Sequence, residues 1–502
     1  MRAALACGVG VSALALGVTL VPAGAETSRY PTRSGDSTAW SCTDWPMYGR
    51  SHARTFSTDC SDIDRASARR LVPAWTFRPT PKADANGQYP VDQASFTASP
   101  TIVQGVVYIG GWDGVMYALR ESDGTVLWQS ETDPAPGATY GPIIGSAAVA
   151  KVDGRLLVIF GSGPKIYALD ANNNGERVWV HQLGDPNKEV NVQSSPLIWR
   201  DRVYVGMDVH DQSGDEVDGV QGGLLRLDAA TGKTQWKFAP ERRLGQPASG
   251  CGGVWGSPTL DTATGTVYFG TANCPAIRDN DKLPMESVWA LDAETGALRW
   301  RFVPHAPPDE DQDFGATPNL YVDANGRKVL GAGNKDGRYY ALNPSTGKKL
   351  WSTKVTTPAP GVGGFIGSPA VWHGKVFGTT AIGTPPGYHA IDGATGERLW
   401  DAPVDPSYAA SAVTHGVAFS GALDGVLKAY DTRNGNVLWA SPTLGPIASG
   451  PAISGDTVVI GSGLSTSDLC AKGRPGSEAC FLFFDVVLGQ PGGVHAFRVV
   501  GP

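Results

Sequence analysis

The chain has 502 residues and a net charge of −7 spread along its length; 18% of its residues are charged and 65 are glycine. No basic patch interrupts that distribution, which excludes a nucleic-acid-binding role. The abundant glycine and low charge suit a turn-rich all-β protein rather than a helical one.

The first 25 residues, MRAALACGVGVSALALGVTLVPAGA, carry Arg2, an apolar run and the small-residue site Ala23-Gly24-Ala25. These are the parts of a secretory signal peptide, so the mature protein is predicted to be secreted or extracytoplasmic. No later apolar stretch is long enough to span a bilayer. Cys7 falls in the signal, leaving Cys42, Cys60, Cys251, Cys274, Cys470 and Cys480. An even count in an exported chain favours disulfides over zinc, and spacing suggests three local pairs, 42–60, 251–274 and 470–480, out of fifteen formal pairings. No CxxCH occurs, so covalent haem attachment has no support.

Past residue 68 the chain repeats itself. Residues 99–128 read SPTIVQGVVYIGGWDGVMYALRESDGTVLW, and later units end in LDAATGKTQW, LDAETGALRW, LNPSTGKKLW, IDGATGERLW and YDTRNGNVLW. Each unit reads as four strands: one after Ser-Pro, a second after a turn, a third ending in Leu-Asp, and a fourth entered at tryptophan after a Thr-Gly turn. The glycine supplies the positive-φ residue of that turn. Closing tryptophans fall at 128, 179, 236, 300, 351, 400 and 439. Four strands per unit at a period near fifty is the mark of a propeller blade. An eighth unit, from about Ser449, ends in VHAFRVV without a tryptophan. Leu71–Phe77 (LVPAWTF), with Trp75, is expected to supply the missing strand and close an eight-bladed β-propeller, leaving no open edge. The expected division is a signal over 1–25, an N-terminal extension over 26–68 and the propeller over 69–502.

The hairpins between second and third strands differ among units. They are tight at Trp112-Asp113-Gly114 and Leu423-Asp424-Gly425, but long and rich in carboxylates and amides in units three and four. Long loops in compact folds are often functional. The stretch Gly250–Asn273 stands apart. It carries Trp255 between glycines, outside the Thr-Gly pattern, and ends its second strand in an asparagine.

Trp255 eighteen residues before Asn273, the turn Asn334-Lys335-Asp336-Gly337, DWPMYGR at 44–50 and QDFGATPNL at 312–320, together with the tryptophan-bearing Thr-Gly turns, resemble the pyrroloquinoline quinone-dependent alcohol dehydrogenases, nearest to the polyvinyl alcohol dehydrogenase branch. The resemblance covers nearly the whole mature chain. It implies oxidation of an alcohol substrate to a carbonyl, with pyrroloquinoline quinone and Ca²⁺ as cofactors. A separate electron acceptor, such as a cytochrome, would receive the electrons.

Residue by residue, the resemblance implies that Trp255 stacks under the quinone, a task an indole face suits. It implies that Asp211 and Asn273 bind Ca²⁺, which prefers carboxylate and amide oxygens; Asp208, Asp215 or Glu216 can stand in for Asp211, which is one methylene shorter than the family's glutamate. Lys335 is implied to sit beside the quinone oxygens, where a compact cation stabilises developing negative charge. Asp281 is implied to be the general base, with Asp279 and Glu286 as rivals. Each has a plainer reading: Trp255 as inter-blade packing, Lys335 as a hairpin cation in water, the acids as loop solvation.

Two features depart from the family. No two cysteines are adjacent, and the family's arginine is missing from ATYGPIIGSAAV at 138–149. A non-catalytic propeller that binds a protein or polymer through the same face is therefore the alternative, as in the outer-membrane barrel-assembly scaffold with related repeats.

Overall fold

In a computed structural model the repeat becomes a physical interlock. The model describes residues 40–80, 95–135, 141–184, 190–209, 220–245, 250–272, 285–306, 311–359, 361–464 and 492–501. In the third-to-fourth-strand turns, Asp228, Asp292 and Asp392 each accept, through Oδ1, the backbone N–H groups two and three residues on and the threonine hydroxyl. The glycine that follows has φ of +70 to +79 at 175, 232, 296, 347, 396 and 435. Its second duty is contact. A Cβ at Gly175, Gly232, Gly347, Gly396 or Gly435 would lie 2.5 or 2.6 Å from the closing tryptophan of the preceding blade. The indole N–H of Trp128, Trp179, Trp236, Trp300 and Trp400 then donates to a carbonyl just past the third strand of the next blade, as in Trp128 to Ala171 at 3.1 Å and Trp179 to Ala229 at 2.9 Å. Tryptophan and Thr-Gly recur together in sequence because they meet in space, each across a blade boundary.

Eight antiparallel blades follow one another, each running in order from its first strand to its fourth, and Ser57–Thr58 adds a parallel strand beside the first strand of blade seven. Blade one holds Thr101–Val103, Val106–Gly110, Val115–Arg120 and Val126–Glu131. Blade eight holds Ala452–Ser454, Thr457–Ser462 and Gly493–Val499, and its fourth strand is Leu71–Phe77, paired antiparallel from Leu71 opposite Val499 to Phe77 opposite Val494. Trp75 of that strand donates to Glu121 of blade one at 2.8 Å and packs on Gly124, so it plays the part that Trp128 and Trp179 play in their blades. The expected eight-bladed, strand-closed ring is what forms.

A serine or threonine before the first strand links blades one to six in succession. Ser99 donates its N–H to the Ser146 hydroxyl, Ser146 to Ser195, Ser195 to Ser257, Ser257 to Thr317 and Thr317 to Ser368, at 2.9 to 3.3 Å. Gly450 of blade eight donates to Ser99 at 2.8 Å.

Residues 45–61, which begin within the DWPMYGR motif, form a strap that touches all eight blades, a path that the sequence does not show. Trp45 exchanges both backbone bonds with Ile102 of blade one. Pro46, His52, Ala53, Thr55 and Phe56 accept through their carbonyls from Val149, Leu260, Leu320, Val371 and Val413 of blades two and four to seven. The His52 ring meets the Ile198 carbonyl of blade three at 2.8 Å, and the Ser61 hydroxyl donates to Gly455 of blade eight at 2.7 Å. The fully buried Arg54 donates to the carbonyls of Pro196 and Pro258, fixing the strap across blades three and four. A disulfide joins Cys42 to Cys60, with Cα atoms 5.6 Å apart, as spacing suggested. Cys251 is also disulfide-bonded, but Cys274, Cys470, Cys480 and the predicted signal lie outside the described residues.

Candidate active site

The second-to-third-strand hairpin of blade five is held rigid before it does any chemistry. Asn334 is fully buried; its side chain donates to the Gln312 carbonyl at 2.7 Å and accepts from the Asp336 N–H at 2.8 Å. The Lys335 N–H donates to the Asp313 carbonyl at 3.1 Å. These bonds turn the Lys335 side chain inward rather than into water: it is 10% exposed, with Nζ 2.7 Å from Asp311 Oδ1 and 2.8 Å from Asp313 Oδ2. Burial works to lower the ammonium's pKa, but the Asp313 and Asp311 carboxylates outweigh it and hold the group above the ordinary lysine range. Lys335 is therefore a fixed positive charge across the working pH range.

Trp255 joins this cluster. Its indole N–H donates to Asp313 Oδ2 at 3.1 Å, and Lys335 Nζ lies 5.5 Å from its ring centroid. The distance suits a cation–π contact. The indole edge lies over Gly315, where any Cβ would sit 1.6 Å from the ring. Asp313 is 5% exposed at its side chain and Asp311 41%, so the lysine bridges a buried carboxylate and an accessible one. Burial and the charge of Asp313 push Asp311 up to about 6, against the pull of Lys335.

A third carboxylate, Asp208, lies at the end of the blade-three strand Arg202–Val209 and is 3% exposed. Burial, then the charge of Asp313, pushes it up to about 7; a Val209 backbone bond and Lys335 oppose the shift. Among the described residues its one side-chain donor is the Gln193 amide, at a long 3.4 Å. Gly253 passes over it: a Cβ there would meet Asp208 Oδ1 at 2.1 Å. The Gly253 carbonyl in turn accepts from Ala272, the residue before Asn273.

Of the residues singled out in sequence, Trp255 and Lys335 are brought together. Asp211, Asn273 and Asp281, with Asp279, Asp215 and Glu216, lie outside the described residues. Glu286 is buried and accepts from the Gln312 N–H. Asp311 and Asp313 received no role from the sequence, although Asp311 precedes the quoted QDFGATPNL and Asp313 is its second residue.

A β-propeller with a lysine, an indole and buried carboxylates gathered over glycines defines the class of quinone-binding propeller proteins. Residues 45–369 match the family model described as glucose/ethanol/alcohol dehydrogenase, beta-propeller domain, whose short name is PQQ, and the chain belongs to that family. Residues 362–472 match the model of the outer membrane protein assembly factor BamB. A polyvinylalcohol dehydrogenase of Sphingopyxis sp. (strain 113P3) is 27% identical over 82% of this chain and 71% of its own length. The quinohemoprotein alcohol dehydrogenase of Comamonas testosteroni is 26% identical over 71% of this chain and 52% of its own. The solved structure of a europium-containing methanol dehydrogenase superposes with a TM-score of 0.75 at 20% identity, covering 91% of this chain and 98% of that one, a likeness of fold.

The residues present fit a flat, anionic quinone and a divalent cation. Gly315 leaves no room for a side chain against the indole edge, Lys335 supplies positive charge over the ring, and Asp208 is a buried carboxylate with, among the described residues, one long side-chain contact, to Gln193. A cation beside it would favour its ionised form.

Proposed function

We propose that the protein is an exported pyrroloquinoline quinone-dependent dehydrogenase that oxidises a secondary or polymeric alcohol to a carbonyl. The observation that carries this reading is the Lys335 ammonium held between Asp311 and Asp313 beside Trp255. When bound, the quinone supplies the two-electron acceptor that alcohol oxidation requires, and Ca²⁺ the Lewis acid that polarises it. Trp255 and Lys335 are the residues that would hold the quinone; Asp208, with Asp211 and Asn273, would hold Ca²⁺.

The chain's own part is to orient the alcohol and take its hydroxyl proton. Asp313 is the described carboxylate best placed for this, because its Oδ2 is fixed from two sides by Trp255 and Lys335. Asp281 is the competing base. A positioned carboxylate contributes roughly 10²- to 10⁴-fold to such a proton transfer. The sequence carries no haem motif, so electrons leave to a separate acceptor. The name of the Sphingopyxis relative favours a polymeric alcohol.

The match to BamB favours a second reading, a binding scaffold. It covers residues 362–472, whereas Asp208, Trp255, Asp311, Asp313 and Lys335 all fall within the part matched by the dehydrogenase model. Reconstitution with Ca²⁺ and the quinone decides between them. Bound-cofactor absorbance and dye reduction with secondary alcohols are expected. Asp313→Asn should retain the absorbance and lose at least a hundredfold in rate, and the same loss from Asp281→Asn alone would transfer the role to Asp281. Absence of quinone binding would leave the scaffold reading standing.

A further inference from the structure

Beside this centre, between the outer strands of blades four and five, opens a cleft of about 560 Å³. Its apolar base includes Phe302 and Tyr340, whose rings lie 5.6 Å apart. Its wall comes from the paired blade-five strands Arg338–Leu342 and Lys349–Lys354. Arg338 stands opposite Lys354, and Tyr340 opposite Ser352. Cross-strand partners project from the same face of a sheet, so all four look across the cleft.

The charges lining the cleft are unbalanced. Arg338, Lys349 and Lys354 line it together with one carboxylate, Asp336. That carboxylate already accepts from the Tyr340 hydroxyl and the Arg338 N–H, and faces His305 at 3.7 Å. The Arg338 guanidinium lies 4.0 Å from it. Among the described residues Lys349 and Lys354 make no ion pair. Two cations directly opposite each other on adjacent strands repel, and this occurs on a chain whose net charge is −7. An anion in the cleft turns that repulsion into attraction.

The cleft also adjoins the proposed active site. Gln312, which lines it, sits in the chain between Asp311 and Asp313, and Asp336, which also lines it, follows Lys335. We propose that the cleft is an anion-binding subsite that takes the carboxylate, sulfate or phosphate of a hydroxylated substrate whose alcohol end reaches the Lys335–Asp313 centre. The direction of the alcohol rests on the dehydrogenase reading; the anion site itself does not.

The test uses the full-length mature protein and separates the two. Calorimetry at low ionic strength, with no quinone added, compares 6-hydroxyhexanoate with 1,6-hexanediol. The acid should bind saturably and at least tenfold more tightly than the diol, with inorganic sulfate competing. Arg338→Gln/Lys354→Gln should reduce the acid's affinity at least tenfold and leave the diol's within twofold. Should the double variant fail to fold, Lys354→Gln alone, at an exposed position, must show at least a threefold loss. Equal affinity for acid and diol, or an unchanged variant, overturns the subsite. A second arm measures dye reduction by reconstituted protein, in which the same variants should raise KM for the acid relative to the diol. Binding that follows the charge without turnover supports the subsite and counts against the dehydrogenase reading instead.

Discussion

Lys335 does two jobs with one charge. It offers a cation to whatever occupies the space beside Trp255, and it keeps Asp311 and Asp313 from repelling each other. Lys335→Met should therefore weaken quinone binding and also destabilise the fold, since removing one partner of a buried pair costs about 3–5 kcal/mol. Asp311 is partly exposed, so the expected loss is nearer 2 kcal/mol. The sign with pH follows from the raised pKa of Asp311, about 6. That value holds with Lys335 pulling it down, so removing the lysine raises Asp311 further; in the variant the carboxyl takes a proton as the pH falls, and its repulsion with Asp313 fades. Urea unfolding at pH 8 and pH 5 should show the larger loss at pH 8, and equal losses would mean that the clamp holds nothing together. Sequence made Trp255 and Lys335 legible because each breaks the blade pattern at its own position. It offered Asp208 only as a stand-in for Asp211 and hid Asp311 and Asp313, because their importance lies in a meeting of blades three, four and five, and an acid in a polar loop looks the same whether it is solvated or buried. The only sequence signal was the pair of acids around Gln312, inside a stretch that already stood out.

At the scale of the element, two glycines of blade five separate backbone strain from contact, Gly326 in the hairpin between its first two strands and Gly347 in its Thr-Gly turn. Gly326 has φ +76 and nothing within 4 Å of a would-be Cβ, whereas Gly347 has φ +70 and would drive its Cβ to 2.5 Å from Trp300. Gly326→Ala should cost only the left-handed conformation, roughly 1 kcal/mol. Gly347→Ala adds displacement of a packed indole and the loss of its bond to Pro344, raising the cost to about 3 kcal/mol. Equal shifts in denaturation midpoint would show that the tryptophan yields freely. This coupling is why the ring could be counted from sequence: the glycine and the tryptophan are two halves of one contact, repeated at a fixed spacing. The strap over residues 45–61 was not legible for the opposite reason. It binds mainly through backbone groups that any residue carries, and it visits each blade once, so it has no period.

For the whole molecule the question is how the ring stays shut. Leu71–Phe77 zips the eighth blade and the strap ties all eight, so removing residues 26–78 should unfold the propeller rather than trim it; unchanged thermal unfolding of the truncated chain would show the closure to be dispensable. The seam also carries a titratable group. His495, on the strand that pairs with Leu71–Phe77, is 4% exposed and lies between the Ser462 hydroxyl at 2.9 Å and the Thr76 hydroxyl at 3.3 Å. Burial, aided by the charge of Arg78, lowers it to about 4, against an ordinary value of 6.5. Because the folded imidazole stays neutral where the unfolded one takes a proton, its contribution is fully present above pH 6.5. It is lost progressively as the pH falls towards 4, by at most about 3 kcal/mol. His495→Gln keeps a polar partner for the seam but cannot titrate. Between pH 7 and pH 4.5 the native protein should lose more thermal stability than this variant does, by several degrees in Tm. Parallel Tm curves for the two would remove the histidine from the acid sensitivity of the ring, leaving the strap and the tryptophan interlock to account for its closure.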